Sequence, residues 1–312
     1  MSPSGRGARR KRTSPEASAG NSAEAVNLLQ ANPSLAPSLS LKEMTSMAKK
    51  LRRHIVKMIG KAGSGHPGGS LSAVESVTAL YFSVLRHNPS NPRWEDRDRF
   101  ILSKGHAAPL LYSVLAESGY LSVDELPTLR ATGSCLQGHC DVTSTPGVEM
   151  SSGSLGQGLS FGVGVAIAGR LDGRDYRVYV LLGDGECDEG QVWEAAMAAA
   201  HFRPGNTALD NLVAIIDHNK LQIDGWNYEV MNIEPLAEKW RAFGWHTIEV
   251  DGHDFSQLIS AFNEAKKVKG KPTVIIANTT KGKDVSFMEN NVDFHGKAPT
   301  ADELERALED LK

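Results

Sequence analysis

VYVLLGDGECDEGQVWEAAMAAAHFRPGNTALDNLVAIIDHNKLQIDG, residues 178–225, decides how this 312-residue chain is read. Its two apolar runs, VYVLL (178–182) and LVAIID (212–217), are short, β-branched and nearly continuous. A strand with one wet face alternates apolar and polar residues. A continuous run marks a strand covered on both faces, as in a parallel sheet. Helical spacing over 188–201 lies between them, so the segment is a strand–helix–strand unit. HTIEV (246–250) and TVIIAN (273–278) read the same way. Helical patterns at 235–243 and 255–268 separate them, with Pro235 suited to a first helical turn. Upstream, Arg99–Leu102 is a candidate short strand, and 42–60, 71–85 and 107–118 are candidate helices. KAGSGHPGGS (61–70) reads as a loop, and the Gly- and Ala-rich stretch 154–170 as a closely packed helix. The expected fold is α/β: a doubly wound, mainly parallel sheet with helices on both faces. Such sheets bind ligands beyond the carboxyl ends of their strands.

The residues after the first two of those strands carry the chemistry. GDGECDEG (183–190) places Asp184 at a strand end, ahead of a helix N-terminus, between glycines that let backbone approach a ligand. A helix N-terminus attracts phosphate. A carboxylate beside that phosphate repels it unless a divalent cation lies between. HNKLQIDG (218–225) offers the Asn219 amide oxygen and the Leu221 carbonyl, oxygen donors of the kind Mg²⁺ takes alongside phosphate. A GDG or an Asn after a strand is, taken alone, a common turn or cap. The pair, each after a buried strand, points to a metal–diphosphate site.

Composition narrows the classes. Thirty-four basic against 37 acidic residues leave a net charge of −3, which argues against nucleic acid as a partner. No apolar stretch approaches the roughly 20 residues of a membrane helix. Three cysteines (Cys135, Cys140, Cys187) fit neither a disulfide scaffold nor a four-thiolate metal site, and suit a reducing cytoplasm. Residues 1–40, basic and then rich in Ser, Pro and Ala, read as a poorly ordered tail, leaving 41–312 as one folded unit. An organelle transit peptide is the minor alternative for that tail.

Several ordered segments resemble the N-terminal, thiamine-diphosphate-binding part of the transketolase family. They are SGHPGG (64–69), HNPSNPRWEDRDRFILSKGHAAPLLY (87–112), GHCD (138–141), SSGSLGQG (151–158), DHNKLQIDG (217–225), GWHTIEVDGHD (244–254) and FHGKAP (294–299). The likeness runs from about residue 42 to about 300. It implies thiamine diphosphate and Mg²⁺ as cofactors, with Ca²⁺ or Mn²⁺ as substitutes, and Asp184, Asn219 and the Leu221 carbonyl as metal ligands. Gly185 is implied at the diphosphate, Gly153 and Leu155 at the aminopyrimidine, and Ile223 against the cofactor rings. His66 and His295 are implied in substrate contact and proton transfer, His139 at the donor C1 hydroxyl, and His106 on the cofactor side. His295 is also implied at the diphosphate. Glu189 is implied in an acidic network joining paired active sites; by itself it reads as a carboxylate favoured at a helix N-terminus.

The implied reaction moves a two-carbon ketol unit from a ketose phosphate to an aldose phosphate, as in the pentose phosphate pathway. Complete relatives continue through two further domains, so the chain is expected to be the N-terminal subunit of a split enzyme. It is expected to be inactive without a separate C-terminal subunit, in an α2β2 heterotetramer. Ser154, His218, Cys140 and Asp141 depart from common family residues, which leaves room for an unusual ketose. The alpha subunit of a thiamine-dependent 2-oxo-acid dehydrogenase shares the GDG-to-Asn logic but not SGHPGG, SKGH or FHGKAP. A nicotinamide dehydrogenase lacks its G-x-G-x-x-G here. A non-catalytic subunit would not need Asp184, Asn219 and four loop histidines.

Overall fold

A computed structural model describes residues 38–202 and 208–312. The expected tail falls almost wholly outside the described residues. At their start, the Leu39 N–H donates to the Phe82 carbonyl. Ser40 and Glu43 then form a reciprocal capping box on helix α1 (Leu41–Ala62), satisfying N–H groups that the helix cannot.

Five parallel strands form one sheet in the order β1-β2-β3-β5-β4. They are β1 (Arg99–Leu102), β2 (Val178–Gly183), β3 (Leu212–His218), β4 (His246–Asp251) and β5 (Thr273–Asn278). All five expected strands are present, and the sheet is doubly wound. Alternate residues enter two separate cores, as the pleat requires. Tyr179, Leu181, Val213, Ile215 and Ile275 join one core with α1 and α8 (Phe255–Lys267). Val178, Val180, Ala214, Ile216 and Val274 join the other with α5 (Gln157–Leu171), α6 (Gly190–His201) and α7 (Leu236–Ala242). Burial on both sides is why these runs are unbroken in sequence. β4 differs: like β1 it is an edge strand, and its Glu249 and Asp251 are exposed.

Several element boundaries differ from expectation. The 61–70 stretch is only partly loop. Gly63, at φ 65°, ends α1, and a new helix α2 (Pro67–Ser72) starts immediately after His66. The expected 71–85 helix is broken at Ala73 into α2, α3 (Val74–Ala79) and a wide turn over Leu80–Val84. Tertiary packing places the His66 backbone at a helix start that composition hides, because four glycines outweigh the single proline signal. The 107–118 helix is α4 (Ala108–Glu117), and α5 begins three residues later than expected. α5 lies close to the loop after β1: a side-chain carbon on Gly158 would sit 2.3 Å from Ser103 Oγ. A final helix, α9 (Ala301–Asp310), was not expected.

Candidate active site

The loops after β1, β2, β3 and β5 converge on one cavity of about 230 Å³. Each supplies polar groups because the strand before it is apolar and buried, and the chain first turns polar where it leaves the sheet. Asp184 leaves β2 and is 2% exposed. Its carboxylate accepts from the Gly185 N–H at 2.8 Å and from the Lys220 N–H of the loop after β3. The Asn219 side chain is fixed at both ends, its oxygen taking the Leu221 N–H at 3.1 Å and its nitrogen donating to Asp217 at 3.0 Å.

Two buried lysines face this acidic floor. Lys104, after β1, pairs with Asp217. Asp217 also accepts from Ser72 Oγ at 2.6 Å, from Thr279 Oγ1 and from Asn219. Burial pushes the Asp217 carboxyl up, but the Lys104 ammonium and these hydrogen bonds outweigh it, holding the group below the ordinary range. Lys281, after β5, donates to the Leu221 carbonyl at 2.7 Å and lies 2.8 Å from His295 Nδ1. Burial, and then the charge of Lys104, bring its ammonium down to about 8. Asp184 goes the other way: burial and the nearby Asp217 charge raise it.

A buried carboxylate pushed up in this way is a group that a cation would stabilise. Asp184, the Asn219 oxygen and the Leu221 carbonyl supply three oxygen donors, and the carbonyl has a second lone pair beside its bond to Lys281. Among the described residues no group of three or more His, Cys, Asp or Glu could hold a metal ion. A cation here therefore relies on a single carboxylate together with amide and backbone oxygens, which suits a hard ion. The residues fit a cation bridged to a diphosphate, with Lys281 and Lys104 sharing the negative charge.

Four histidines form the opposite wall. The His66 ring lies 5.5 Å from His106, 5.7 Å from His139 and 5.7 Å from His295, and His106 is 5.2 Å from His295. Gly69 permits this: a side-chain carbon there would stand 2.9 Å from His106 Nε2. Gly153, at φ +148°, leaves the same room beside His139. Tyr112 Oη holds the His139 segment by donating to the Gln137 carbonyl at 2.9 Å. His66 Nδ1 is buried and has no partner.

Burial, then the charges of His139, Arg130 and Lys281, lower His66 to about 4. Burial and then Lys281 lower His295 to about 3. His106 and His139 are lowered too, first by burial. All four rings are neutral at pH 7, able both to donate and to accept. The unfolded chain binds these protons first, so acid favours unfolding. Stability should fall as pH drops below 6.5, the ordinary histidine value, and keep falling towards about 3. Denaturant midpoints measured across that range check this. His66→Gln and His295→Gln should flatten the slope, and an unchanged slope would contradict the assignment.

Every expected site residue except Glu189 lines the cavity: His66, His106, His139, Gly153, Leu155, Asp184, Gly185, Asn219, Leu221, Ile223 and His295. Glu189 is the exposed N-cap of α6, makes no capping bond and stands outside the cavity. Ser154, Cys140, Asp141 and His218 are also outside the lining. His218 turns to Asn278 and Glu234, each at 3.0 Å, because it sits within the last pairs of β3. Sequence reasoning missed Lys104, Asp217 and Lys281. The signal for the first two was present, inside SKGH and DHNKLQIDG. Lys281 follows TVIIAN, where the same strand-end logic would have found it.

Fold and site together define an α/β protein whose buried oxygen donors and lysines fit a cation and a diphosphate beside a histidine-lined cavity. The profile of the transketolase thiamine diphosphate binding domain matches residues 43–311. A 6-deoxy-6-sulfo-D-fructose transketolase subunit from Clostridium sp. (strain MSTE9) is 45% identical over 270 residues, 86% of this chain and 96% of that one. An apulose-4-phosphate transketolase subunit from Actinobacillus succinogenes is 45% identical over 275 residues, 88% of this chain and 98% of that one. The crystal structure of Campylobacter jejuni transketolase superposes with a TM-score of 0.82 at 34% identity, covering 88% of this chain and 43% of that one. The chain belongs to the transketolase family, and it corresponds to the N-terminal subunit of two-chain members. It is a transketolase-type transferase subunit with a thiamine diphosphate-binding domain. Between the two thiamine-dependent readings of the sequence, these findings favour transketolase over 2-oxo-acid dehydrogenase. No helix among the described residues is long and apolar enough to cross a membrane.

Proposed function

We propose that this chain binds thiamine diphosphate through Mg²⁺ and, with a separate C-terminal subunit, transfers a two-carbon ketol unit from a ketose to an aldehyde acceptor. The observation that carries this reading is the convergence of Asp184, Asn219 and the Leu221 carbonyl with His66, His106, His139 and His295 in one cavity. Mg²⁺ is favoured because all three donors are oxygens. When bound, the cofactor stores the electron pair released as the sugar's carbon–carbon bond breaks. His66, His139 and His295, neutral at pH 7, hydrogen-bond sugar hydroxyls and accept or return their protons. Lys281 and Lys104 neutralise the diphosphate, and Gly185 lets it approach the backbone. Ile223, 60% exposed at the cavity edge, awaits an apolar partner surface. Glu189 faces outward, open to a neighbouring chain in an α2β2 assembly.

The sugar is an anionic ketose outside the ordinary pentose phosphates. Support comes from relatives matched over nearly their whole length, whose names specify 6-deoxy-6-sulfo-D-fructose and apulose-4-phosphate. The partner reading is supported because these relatives are themselves called subunits.

The test is ketol transfer with thiamine diphosphate and Mg²⁺, for the chain alone and co-expressed with the C-terminal subunit from the same genome. Xylulose 5-phosphate, apulose 4-phosphate and 6-deoxy-6-sulfofructose serve as donors in parallel. Activity should appear only in the complex, with the lone chain at least about a thousandfold slower, because half of the positioning surface is absent. One of the two unusual sugars should exceed xylulose 5-phosphate in kcat/KM. Full turnover by the lone chain would sink the two-chain reading.

A further inference from the structure

Lys281 reaches the cavity from a loop, not from the sheet, so something must hold that loop. The loop after β5 runs over residues 279–284 and is gripped on both sides of Lys281 by three buried or half-buried groups from elements far apart in sequence. His253, in the turn between β4 and α8, accepts the Thr280 N–H through Nε2 at 2.8 Å. Its Nδ1 lies 3.0 Å from Glu75 of α3. Arg52 of α1, 1% exposed, pairs with Glu75 at 2.7 Å. The same guanidinium donates to the Lys283 carbonyl at 3.2 Å and lies 3.3 Å from the Asp284 carboxylate.

The proton count is fixed. A backbone N–H can only donate, so Nε2 is bare, and Nδ1 carries the proton that it gives to Glu75. Thr280 is therefore tied just before Lys281, and Lys283 and Asp284 just after it. GHD (252–254), part of the sequence pattern that marks the family, otherwise has no role in the site.

We propose that His253 is a positioning residue for the cofactor: with Glu75 and Arg52 it pins the 279–284 loop so that the Lys281 ammonium stays on the Leu221 carbonyl and beside His295. The inference rests on the reading that Lys281 faces the cofactor diphosphate. It adds a residue outside the cavity that sets cofactor affinity through one backbone hydrogen bond.

The experiment measures the dissociation constant of thiamine diphosphate, in saturating Mg²⁺, by titration calorimetry on the complex with the C-terminal subunit. Two variants of His253 each keep one of its bonds. His253→Gln places an amide oxygen near the position of Nε2 and keeps an acceptor for Thr280. His253→Asn places an amide nitrogen near Nδ1 and keeps the donor to Glu75. A purely structural role would treat the two losses alike. Positioning through the loop predicts that His253→Asn weakens binding about tenfold while His253→Gln stays within about twofold of wild type. Lys281→Met should weaken binding by itself, and adding His253→Asn to it should cost less than about twofold more, since the group being positioned is gone. Equal effects of Gln and Asn, or full additivity with Lys281→Met, would overturn the proposal. If Lys281→Met left the dissociation constant unchanged, the placing of Lys281 at the diphosphate would fall, and this inference with it.

Discussion

Asp184→Asn should abolish metal-dependent binding of thiamine diphosphate while the chain stays folded. Asp184 is the one carboxylate among the three proposed metal donors, so the substitution removes the only formal negative charge they offer to the ion. A hard cation at an oxygen site loses most of its electrostatic hold with that charge. The dissociation constant for thiamine diphosphate should rise by more than about a hundredfold, beyond the range seen when groups behind the ligands are changed. The fold should tolerate the change for a stated reason. Burial and the Asp217 charge already oppose ionisation of Asp184, so its neutral analogue relieves a repulsion. One of its two backbone hydrogen bonds survives on the amide oxygen. Ligand-linked stability measures this directly. At a hundred times the dissociation constant, wild-type complex gains about 2.7 kcal/mol from bound cofactor. The variant should gain nothing at the same concentration, and chelating the metal should erase the gain in wild type alone. Undiminished binding by Asp184→Asn would mean the metal sits elsewhere.

Lys104→Met should cost about 3–5 kcal/mol of folding stability, the usual penalty for removing one member of a buried ion pair. Lys104 and Asp217 are each 1% exposed, and Lys104 is the cation in direct contact with that carboxylate, whose other partners are neutral. Without it, Asp217 is left ionised between β2 and β5 or must take up a proton. A second substitution separates this from lost packing. Adding Asp217→Asn removes the stranded charge and should recover part of the deficit, which a packing defect would not allow. The pH dependence has a definite sign. In wild type the Asp217 carboxyl is held below the ordinary range, so its contribution is present above that range and lost as pH falls through the lowered value. The gap between wild type and Lys104→Met should therefore narrow in acid. Chemical denaturation at neutral and acid pH provides both readings.

The unbroken apolar runs at 178–182, 212–217 and 273–278 announced central strands, because a strand buried on both faces has no reason to alternate. HTIEV announced a strand equally well but not its edge position, since an edge depends on which strands pair and no local pattern records that. The helix starting at Pro67 was hidden for a related reason. SGHPGG looks like loop by composition, and only packing against the loop that carries Lys281 decides that its backbone coils there. Within the site, ligands lying directly after strands were legible, as were histidines in quoted motifs. Lys104 and Asp217 were in view without a role, since a lysine and an aspartate 113 residues apart become a pair only when β1 and β3 flank β2.

By itself the sequence determined the class of the fold, the strand ends that carry chemistry and the donor types gathered there, because burial and hydrogen bonding act on residues through their local pattern. The tertiary structure alone decided which charges face one another. It made Lys281 a neighbour of Leu221 and His295, gathered four histidines within about 6 Å of His66 or each other, and turned Glu189 and His218 away from the cavity. Electrostatic energy depends on distance through space and on burial, and neither is written in the order of residues along the chain.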